Sequence, residues 1–207
     1  DRDTSAVMGF RSRVLAGRDE IWDELSGLKV CLTARSFYQI NTVQAEKLYQ
    51  RAIELAQLTP GDRVLDAYCG VGTIGLSCAG RARHVLGVEV NRSAVQCAVQ
   101  NARLNGIRNA RFVCADAGKA MLDLAASGQR PDVVILDPPR AGSTPEFLTA
   151  LDALAPRRAV YVSCEPATQR RDLEFLVQRG WHVEHIQPVD LFPHTEHVES
   201  IVQITRT

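Results

Sequence analysis

From Arg63 onward, short apolar runs rich in β-branched residues alternate with longer stretches whose apolar residues recur at helical spacing. The apolar runs predict strands at residues 63–68, 84–90, 110–115, 132–137 and 158–164. The stretches between and after them predict helices at residues 73–79, 92–105, 118–126, 145–154 and 167–179. Strands that alternate with helices build a parallel sheet with helices on both faces. The alternation therefore predicts an open α/β fold.

The alternation stops after Gly180. Two extended segments, residues 181–192 and 197–207, follow one another without a helical stretch between them, which predicts an antiparallel hairpin at the sheet edge. Before the sheet, residues 42–57 predict an amphipathic helix and residues 6–32 a few short strands. A mostly parallel, seven-stranded, Rossmann-like sheet that ends in a hairpin is typical of class I methyltransferases, and this is the fold we expect.

Length and composition bound the domain organisation. With 207 residues, of which 45% are hydrophobic, the chain buries one core of ordinary size, so we expect one main domain. We interpret residues 1–35 as a short β-rich remnant of a preceding subdomain and residues 36–207 as the catalytic domain. No apolar run is long enough to span a bilayer and no signal peptide is evident, which favours a cytoplasmic protein without membrane attachment.

Charge and cysteine usage exclude several kinds of site. The chain has 24 basic and 24 acidic residues, so it lacks the net positive charge that would indicate nucleic-acid binding. The six cysteines lack C-x-x-C spacing, so no disulfide, zinc site or iron–sulfur cluster is expected. Because the sequence does not begin with Met, we expect it to belong to a longer protein that carries an RNA-binding module elsewhere.

A glycine loop follows the first strand of the sheet and opens a helix. Gly70 and Gly72 stand where the backbone turns tightly beneath a ligand, and Glu89 ends the next strand, where an acid commonly binds ribose hydroxyls. This pattern fits a dinucleotide as well as S-adenosylmethionine. Asp66 favours the second, because a carboxylate repels a pyrophosphate but suits cationic amino and sulfonium groups. Asp116, after the third strand, either contacts adenine or caps the following helix.

Two strand ends supply candidate catalytic groups. Asp137, in Asp-Pro-Pro-Arg, ends the fourth strand at the edge where open α/β sheets bind ligands. Cys164 ends the fifth strand before a proline-marked turn and a helix, where helix amides lower a thiol pKa. The best candidate base is Glu199, because neighbouring apolar residues would raise the pKa of its carboxyl group. Its competitors are Glu165, Glu196, His194 and His197.

In this order, the motifs resemble the RNA uracil-C5 methyltransferase family, which makes 5-methyluridine in tRNA and ribosomal RNA. The matching segments are residues 36–41, 66–73, 137–142, 163–168, 171–172 and 192–199. The resemblance implies that Cys164 is the nucleophile that adds to uracil C6 and that Glu199 removes the C5 proton. It also implies that the methyl donor, S-adenosylmethionine, is contacted by Gln39, Tyr68, Thr73, Glu89, Asp116 and Asp137.

The resemblance extends to substrate and partners. We expect 23S ribosomal RNA as the substrate, with uridine 54 of tRNA as the alternative. A monomer is expected, with an N-terminal RNA-binding domain in the full-length protein. The family usually has Asn where this chain has Glu165, whose charge would raise the pKa of the neighbouring thiol or alter the contact to the base.

Three other readings stay open at this stage. An RNA cytosine-C5 methyltransferase would typically place a second Cys after the Asp-Pro motif, where this chain has Pro139 and Arg140. A non-catalytic scaffold that binds S-adenosylmethionine and RNA would not need both Cys164 and Glu199. An NAD-dependent oxidoreductase would share the glycine loop.

Overall fold

The computed structural model describes residues 13–206, so the part of the 6–32 prediction that precedes Arg13 lies outside them. The strands are β1 Glu20–Leu25, β2 Leu28–Thr33, β3 Arg63–Ala67, β4 His84–Glu89, β5 Ala110–Cys114, β6 Val133–Leu136, β7 Arg158–Ser163, β8 Trp181–Val189 and β9 Glu199–Arg206. The helices are α1 Thr42–Ala56, α2 Thr73–Cys78, α3 Arg92–Leu104, α4 Ala117–Ala126, α5 Pro145–Leu154 and α6 Pro166–Val177, with a short 3₁₀ turn at Ala79–Arg81.

Strands β3 to β9 form one seven-stranded sheet in the order β5-β4-β3-β6-β7-β9-β8. The pairs from β5 to β7 are parallel, and β9 runs antiparallel to both β7 and β8. The parallel sheet and its terminal hairpin are confirmed. Strand order reverses between β3 and β6, and in open sheets ligands bind beyond the carboxyl ends of the strands at such a point.

Helices cover both faces of the sheet. In β6, which is buried along its whole length, Val133 and Ile135 pack on the side of α1, α2 and α3, whereas Val134 and Leu136 pack on the side of α4, α5 and α6. Successive strand residues point to opposite faces, so a strand buried on both faces must be apolar throughout. The continuous apolar runs in the sequence reflect this arrangement.

The β1–β2 hairpin is fastened to the sheet domain through Asn101 of α3. The Asn101 side chain is fully buried, accepts a hydrogen bond from the Cys31 amide at 2.7 Å and donates to the Val71 carbonyl at 3.0 Å. Leu25 and Val30 of the hairpin belong to the same apolar core as α1. The proposed division of the chain at residue 35 stays a prediction.

Two further properties concern residues 13–206 only. None of their helices has the length and apolar character needed to cross a membrane. They also contain no group of three or more His, Cys, Asp or Glu side chains placed to hold a metal ion.

Candidate active site

The carboxyl ends of β3 and β6 open into a narrow crevice. Its lining residues come from the segment before α1, from α1, from β3 and the loop that follows it, from α2 and from the position directly after β6: Phe37, Tyr38, Tyr49, Asp66, Tyr68, Cys69, Gly70, Val71, Thr73, Ile74 and Asp137. Four of the residues predicted to contact the methyl donor, Tyr68, Gly70, Thr73 and Asp137, are therefore brought together here.

The glycine loop adopts a strained, tightly closed backbone. Tyr68, Gly70 and Gly72 all have positive φ angles, of 64°, 54° and 85°. Gly72 precedes α2, and a Cβ atom at this position would lie 2.9 Å from the Phe112 ring, so both conformation and packing require glycine. Tyr68 is a non-glycine residue in the left-handed region, a conformation that often marks a functional site.

Glu89 stabilises the glycine loop through backbone hydrogen bonds. One carboxylate oxygen accepts a hydrogen bond from the Gly70 amide at 3.1 Å and the other accepts one from the Asn91 amide at 2.7 Å. Each oxygen keeps a second lone pair that can accept a further hydrogen bond from a ligand. Glu89 therefore has a structural role in the glycine loop but is not among the residues that line the crevice, and its contact to the donor stays a prediction.

Two acidic side chains in the crevice have raised pKa values. Burial raises the pKa of Asp66 to about 7, and the charge of Glu89 adds to the shift although the Gly75 amide donates to Asp66 at 2.8 Å. Burial, with the charges of Glu199 and Asp66, raises the pKa of Asp137 to about 8. No positively charged side chain of the described residues compensates either group. The crevice is thus suited to a cationic ligand.

The remaining predicted donor contacts lie outside the lining of the crevice. Gln39 is only 5% exposed, and its Oε1 atom has no hydrogen-bond partner among the described residues. Asp116 is exposed and caps α4, accepting a hydrogen bond from the Lys119 amide at 2.9 Å. Asp116 therefore caps α4, and its contact to the adenine of the donor stays a prediction.

Cys164 and Glu199 face each other across two paired strands. Ser163 of β7 is paired with Ser200 of β9 in antiparallel register, so Cys164 and Glu199 occupy the next opposing positions. Directly opposed residues in an antiparallel pair have Cα atoms about 5 Å apart. The sequence places these two residues 35 positions apart, and the register brings them to one rim.

Burial raises the pKa of both groups. For Glu199, which is 3% exposed, burial is the main cause, and this agrees with the expectation from its apolar neighbours. For the half-buried Cys164, burial and the charge of Glu199 raise the thiol pKa above its ordinary value. The expectation that helix amides would lower this pKa is therefore wrong in its net direction, because burial, with the added charge of Glu199, raises it.

Arg140 was not recognised as a site residue from the sequence. Its guanidinium group lies beside Cys164 and lowers the pKa of the thiol, and it also lowers the pKa of Glu199. One of its nitrogens lies 2.8 Å from Nδ1 of His197. Its position directly after Asp-Pro-Pro, at a strand end of the ligand-binding edge, was the available signal.

The competing bases are less suited than Glu199 to act at neutral pH. His194, Glu196 and His197 are exposed, and Glu165 is half-buried at the start of α6 without a side-chain capping bond. Glu199 alone among the five candidates is buried. A buried carboxylate beside the nucleophile has the environment that a general base requires.

The sheet order, the glycine loop between β3 and α2 and the acidic residue that ends β4 define a class I methyltransferase. Within this class, the chain belongs to the tRNA (uracil-5-)-methyltransferase family, whose family model matches residues 27–207.

Relatives and a solved structure agree with this membership. Uncharacterized RNA methyltransferases from Streptococcus mutans and Staphylococcus aureus are each 48% identical to the chain, over 206 and 201 residues. These matches cover 100% and 97% of this chain but only 46% and 44% of the relatives, so the chain spans less than half of their length.

A crystal structure of the Pyrococcus abyssi tRNA (uracil-54, C5)-methyltransferase, in complex with S-adenosyl-L-homocysteine, superposes with a TM-score of 0.80 at 34% identity. The match covers 92% of this chain and 45% of the archaeal protein.

Proposed function

We propose that the protein transfers a methyl group from S-adenosylmethionine to C5 of a uridine in RNA, giving 5-methyluridine. The observation that carries the proposal is the pairing of β7 with β9, which sets the Cys164 thiol opposite the buried Glu199 carboxylate at the rim of the crevice. Arg140 beside the thiol supplies a positive charge that favours the thiolate. A nucleophile, a base and a cation on one rim suit covalent activation of a pyrimidine.

The acidic groups of the crevice suit the cationic groups of S-adenosylmethionine. Asp66 and Asp137 are acidic groups without a compensating cation among the described residues, and the donor carries an ammonium and a sulfonium group. The unpartnered Gln39 amide oxygen offers a further acceptor next to this region. The set of donor contacts that we propose is completed by Tyr68, Gly70, Gly72, Thr73, Glu89 and Asp116.

S-adenosylmethionine supplies the methyl group as an electrophile. The Cys164 thiolate adds to C6 of the uracil ring, which makes C5 nucleophilic and allows it to accept the methyl group. The Glu199 carboxylate then takes the proton from C5, and the electron pair of that C–H bond restores the C5–C6 double bond as the Cys164 thiolate leaves. Arg140 favours the thiolate at the start and at the end of this sequence.

Ribosomal RNA is the substrate that we expect on the sequence resemblance, at a uridine of 23S rRNA. A second candidate is uridine 54 of tRNA, which the likeness to the Pyrococcus abyssi enzyme favours. We further propose that the full-length protein is a cytoplasmic monomer with an RNA-binding domain that precedes this chain, since the curated relatives are more than twice as long.

The substrate test uses the full-length protein, methyl-labelled S-adenosylmethionine, and 23S rRNA and tRNA that lack 5-methyluridine. We expect label in 5-methyluridine at one site of one RNA, with no label in cytidine or adenosine. A nucleoside digest read by mass spectrometry identifies the product. Label only in 5-methylcytidine, or in neither RNA, would contradict the proposed reaction.

The raised pKa of Asp66 predicts a pH-dependent stability. Burial raises this pKa to about 7, so the folded chain holds a proton that the unfolded chain releases above about pH 4, and the free energy of unfolding falls as the pH rises through this window. We expect Asp66→Asn to be more stable than the wild type by up to ~4 kcal/mol at about pH 8, with little difference at about pH 4. Urea denaturation at both pH values measures this.

Asp62→Asn is the matched control for this experiment. Although burial opposes it, hydrogen bonds from the Thr59 amide and Arg157 hold the pKa of Asp62 below its usual value, so this substitution should destabilise the protein at about pH 8. A stability gain in Asp66→Asn that is equal at both pH values would show that Asp66 does not titrate in this range.

A further inference from the structure

The buried carboxylate of Asp172 joins three elements behind the crevice. Asp172 lies in α6 and is 1% exposed. Its Oδ2 atom accepts hydrogen bonds from the Ser143 amide and from the Tyr161 hydroxyl, both at 2.7 Å. Its Oδ1 atom accepts from the Arg171 guanidinium at 2.7 and 2.9 Å. One side chain therefore ties α6 to β7 and to the loop that follows β6.

The two partners of Oδ2 belong to the segments that carry the reactive groups. Ser143 lies three positions after Arg140, in the loop that begins at Asp137. Tyr161 lies three positions before Cys164, in β7. Cys164 and Arg140 therefore each lie three residues from a group, Tyr161 or Ser143, that donates a hydrogen bond to Oδ2 of Asp172.

The loop after β6 has little freedom to move away from Asp172. Arg171 donates to the carbonyl oxygens of Ala141 at 2.9 Å and Ser143 at 3.4 Å. Gly142 between them has a φ angle of 78°, and a Cβ atom there would lie 2.7 Å from both the Arg171 guanidinium and the Asp172 carboxylate. The loop therefore packs directly against this ion pair.

We propose that Asp172 is a positioning residue that sets the spacing between the Arg140 guanidinium and the Cys164 thiol. The inference rests on the proposed function, because its consequence is the reactivity of the Cys164 thiolate. Asp172 is not among the residues that line the crevice, and its hydrogen bonds connect it to the segments of Arg140 and Cys164 through Ser143 and Tyr161. A carboxylate that only satisfied buried donors would affect stability and leave the thiol unchanged.

The test compares Asp172→Asn with Asp62→Asn in the full-length protein. Asp62 is also a buried carboxylate, 6% exposed, that binds a backbone amide and an arginine at 2.6 Å, but it lies at the amino end of β3, away from the carboxyl ends of the strands that form the crevice. Both variants carry Cys114→Ser, which removes the exposed thiol; the four remaining cysteines besides Cys164 are buried. Iodoacetamide alkylation is read by mass spectrometry at the peptide that contains Cys164, so its pH profile reports on that thiol and not on cysteines elsewhere in the full-length protein.

We expect Asp172→Asn to shift the alkylation profile to higher pH and to slow covalent-complex formation with 5-fluorouridine RNA by ~10-fold or more, since small displacements at a reactive centre are costly. Binding of S-adenosylhomocysteine should change much less than this rate, because Asp172 is not among the residues that line the crevice. Asp62→Asn should keep both the alkylation profile and the complex-formation rate of the wild type. Tyr161→Phe, which removes a single hydrogen bond, should shift the profile in the same direction but less.

An alkylation profile of Asp172→Asn that coincides with the wild type would overturn the positioning role. If Asp172→Asn does not fold, an unchanged profile in Tyr161→Phe overturns it equally. The failure of the proposed function has a different signature, because the wild-type protein itself would then form no covalent complex with 5-fluorouridine RNA. The alkylation profiles would still test the positioning role in that case, because they measure the Cys164 thiol without RNA.

Discussion

We expect Cys164→Ala to lower the rate of RNA methylation by about 10⁴-fold or more, because the uncatalysed C5 carbon of uracil is too poor a nucleophile to attack the donor without prior addition of a thiolate. The half-buried thiol makes no backbone hydrogen bond that supports the fold, so the melting temperature should stay close to that of the wild type. Initial rates with labelled S-adenosylmethionine and the substrate RNA measure the effect.

The matched control for this substitution is Cys114→Ala. Cys114 is exposed on β5, at the far edge of the sheet from β7 and β9, and should be dispensable. Loss of activity in Cys114→Ala, or a rate of Cys164→Ala within tenfold of the wild type, would be incompatible with the nucleophile assignment.

Glu199→Gln should slow turnover by about 10²- to 10⁴-fold while leaving the first covalent step in place. The amide keeps the size of the side chain but cannot take the C5 proton, so the methylated adduct with ordinary RNA should accumulate. Gel electrophoresis under denaturing conditions separates the protein–RNA complex, and its decay gives the rate of release. Because burial raises the pKa of Glu199, the wild-type rate should rise with pH through that pKa, and this limb should vanish in the variant.

Glu196→Gln provides the comparison for Glu199→Gln. Glu196 lies three residues earlier and is exposed, so its substitution should leave the release rate unchanged. Normal turnover in Glu199→Gln would remove this residue from the mechanism, and a defect in Glu196→Gln of similar size would move the role to that side chain.

The sheet could be predicted from the sequence because its physical signals are local. A strand such as β6 is buried on both faces and must be apolar along its length. In the sequence it therefore stands out as an apolar run with turn residues on both sides. Strands β3 and β6 each end one residue before the predicted ends at Tyr68 and Asp137. These two residues, which follow directly after the strands, line the crevice.

The site could be predicted only where strand ends marked it. Cys164 and Asp137 were identified because parallel strands end at a common edge. The opposition of Cys164 and Glu199 depends on the β7–β9 register, and the contacts of Asp172 depend on the packing of α6, and neither is encoded by local spacing. The pKa of Cys164 depends on the packed structure in the same way, because burial does most to raise it and the charges that add to the rise belong to Glu199 and Asp137, at the ends of other strands, and not to the neighbouring Glu165.

Covalent capture tests the central claim most directly. The full-length protein is incubated with S-adenosylmethionine and its RNA substrate containing 5-fluorouridine, whose C5 fluorine cannot leave as a proton does. We predict a complex that survives denaturation and, after protease and nuclease digestion, a nucleotide attached to the peptide that contains Cys164. A complex attached through another residue, or a band of undiminished intensity in Cys164→Ala, would contradict the account.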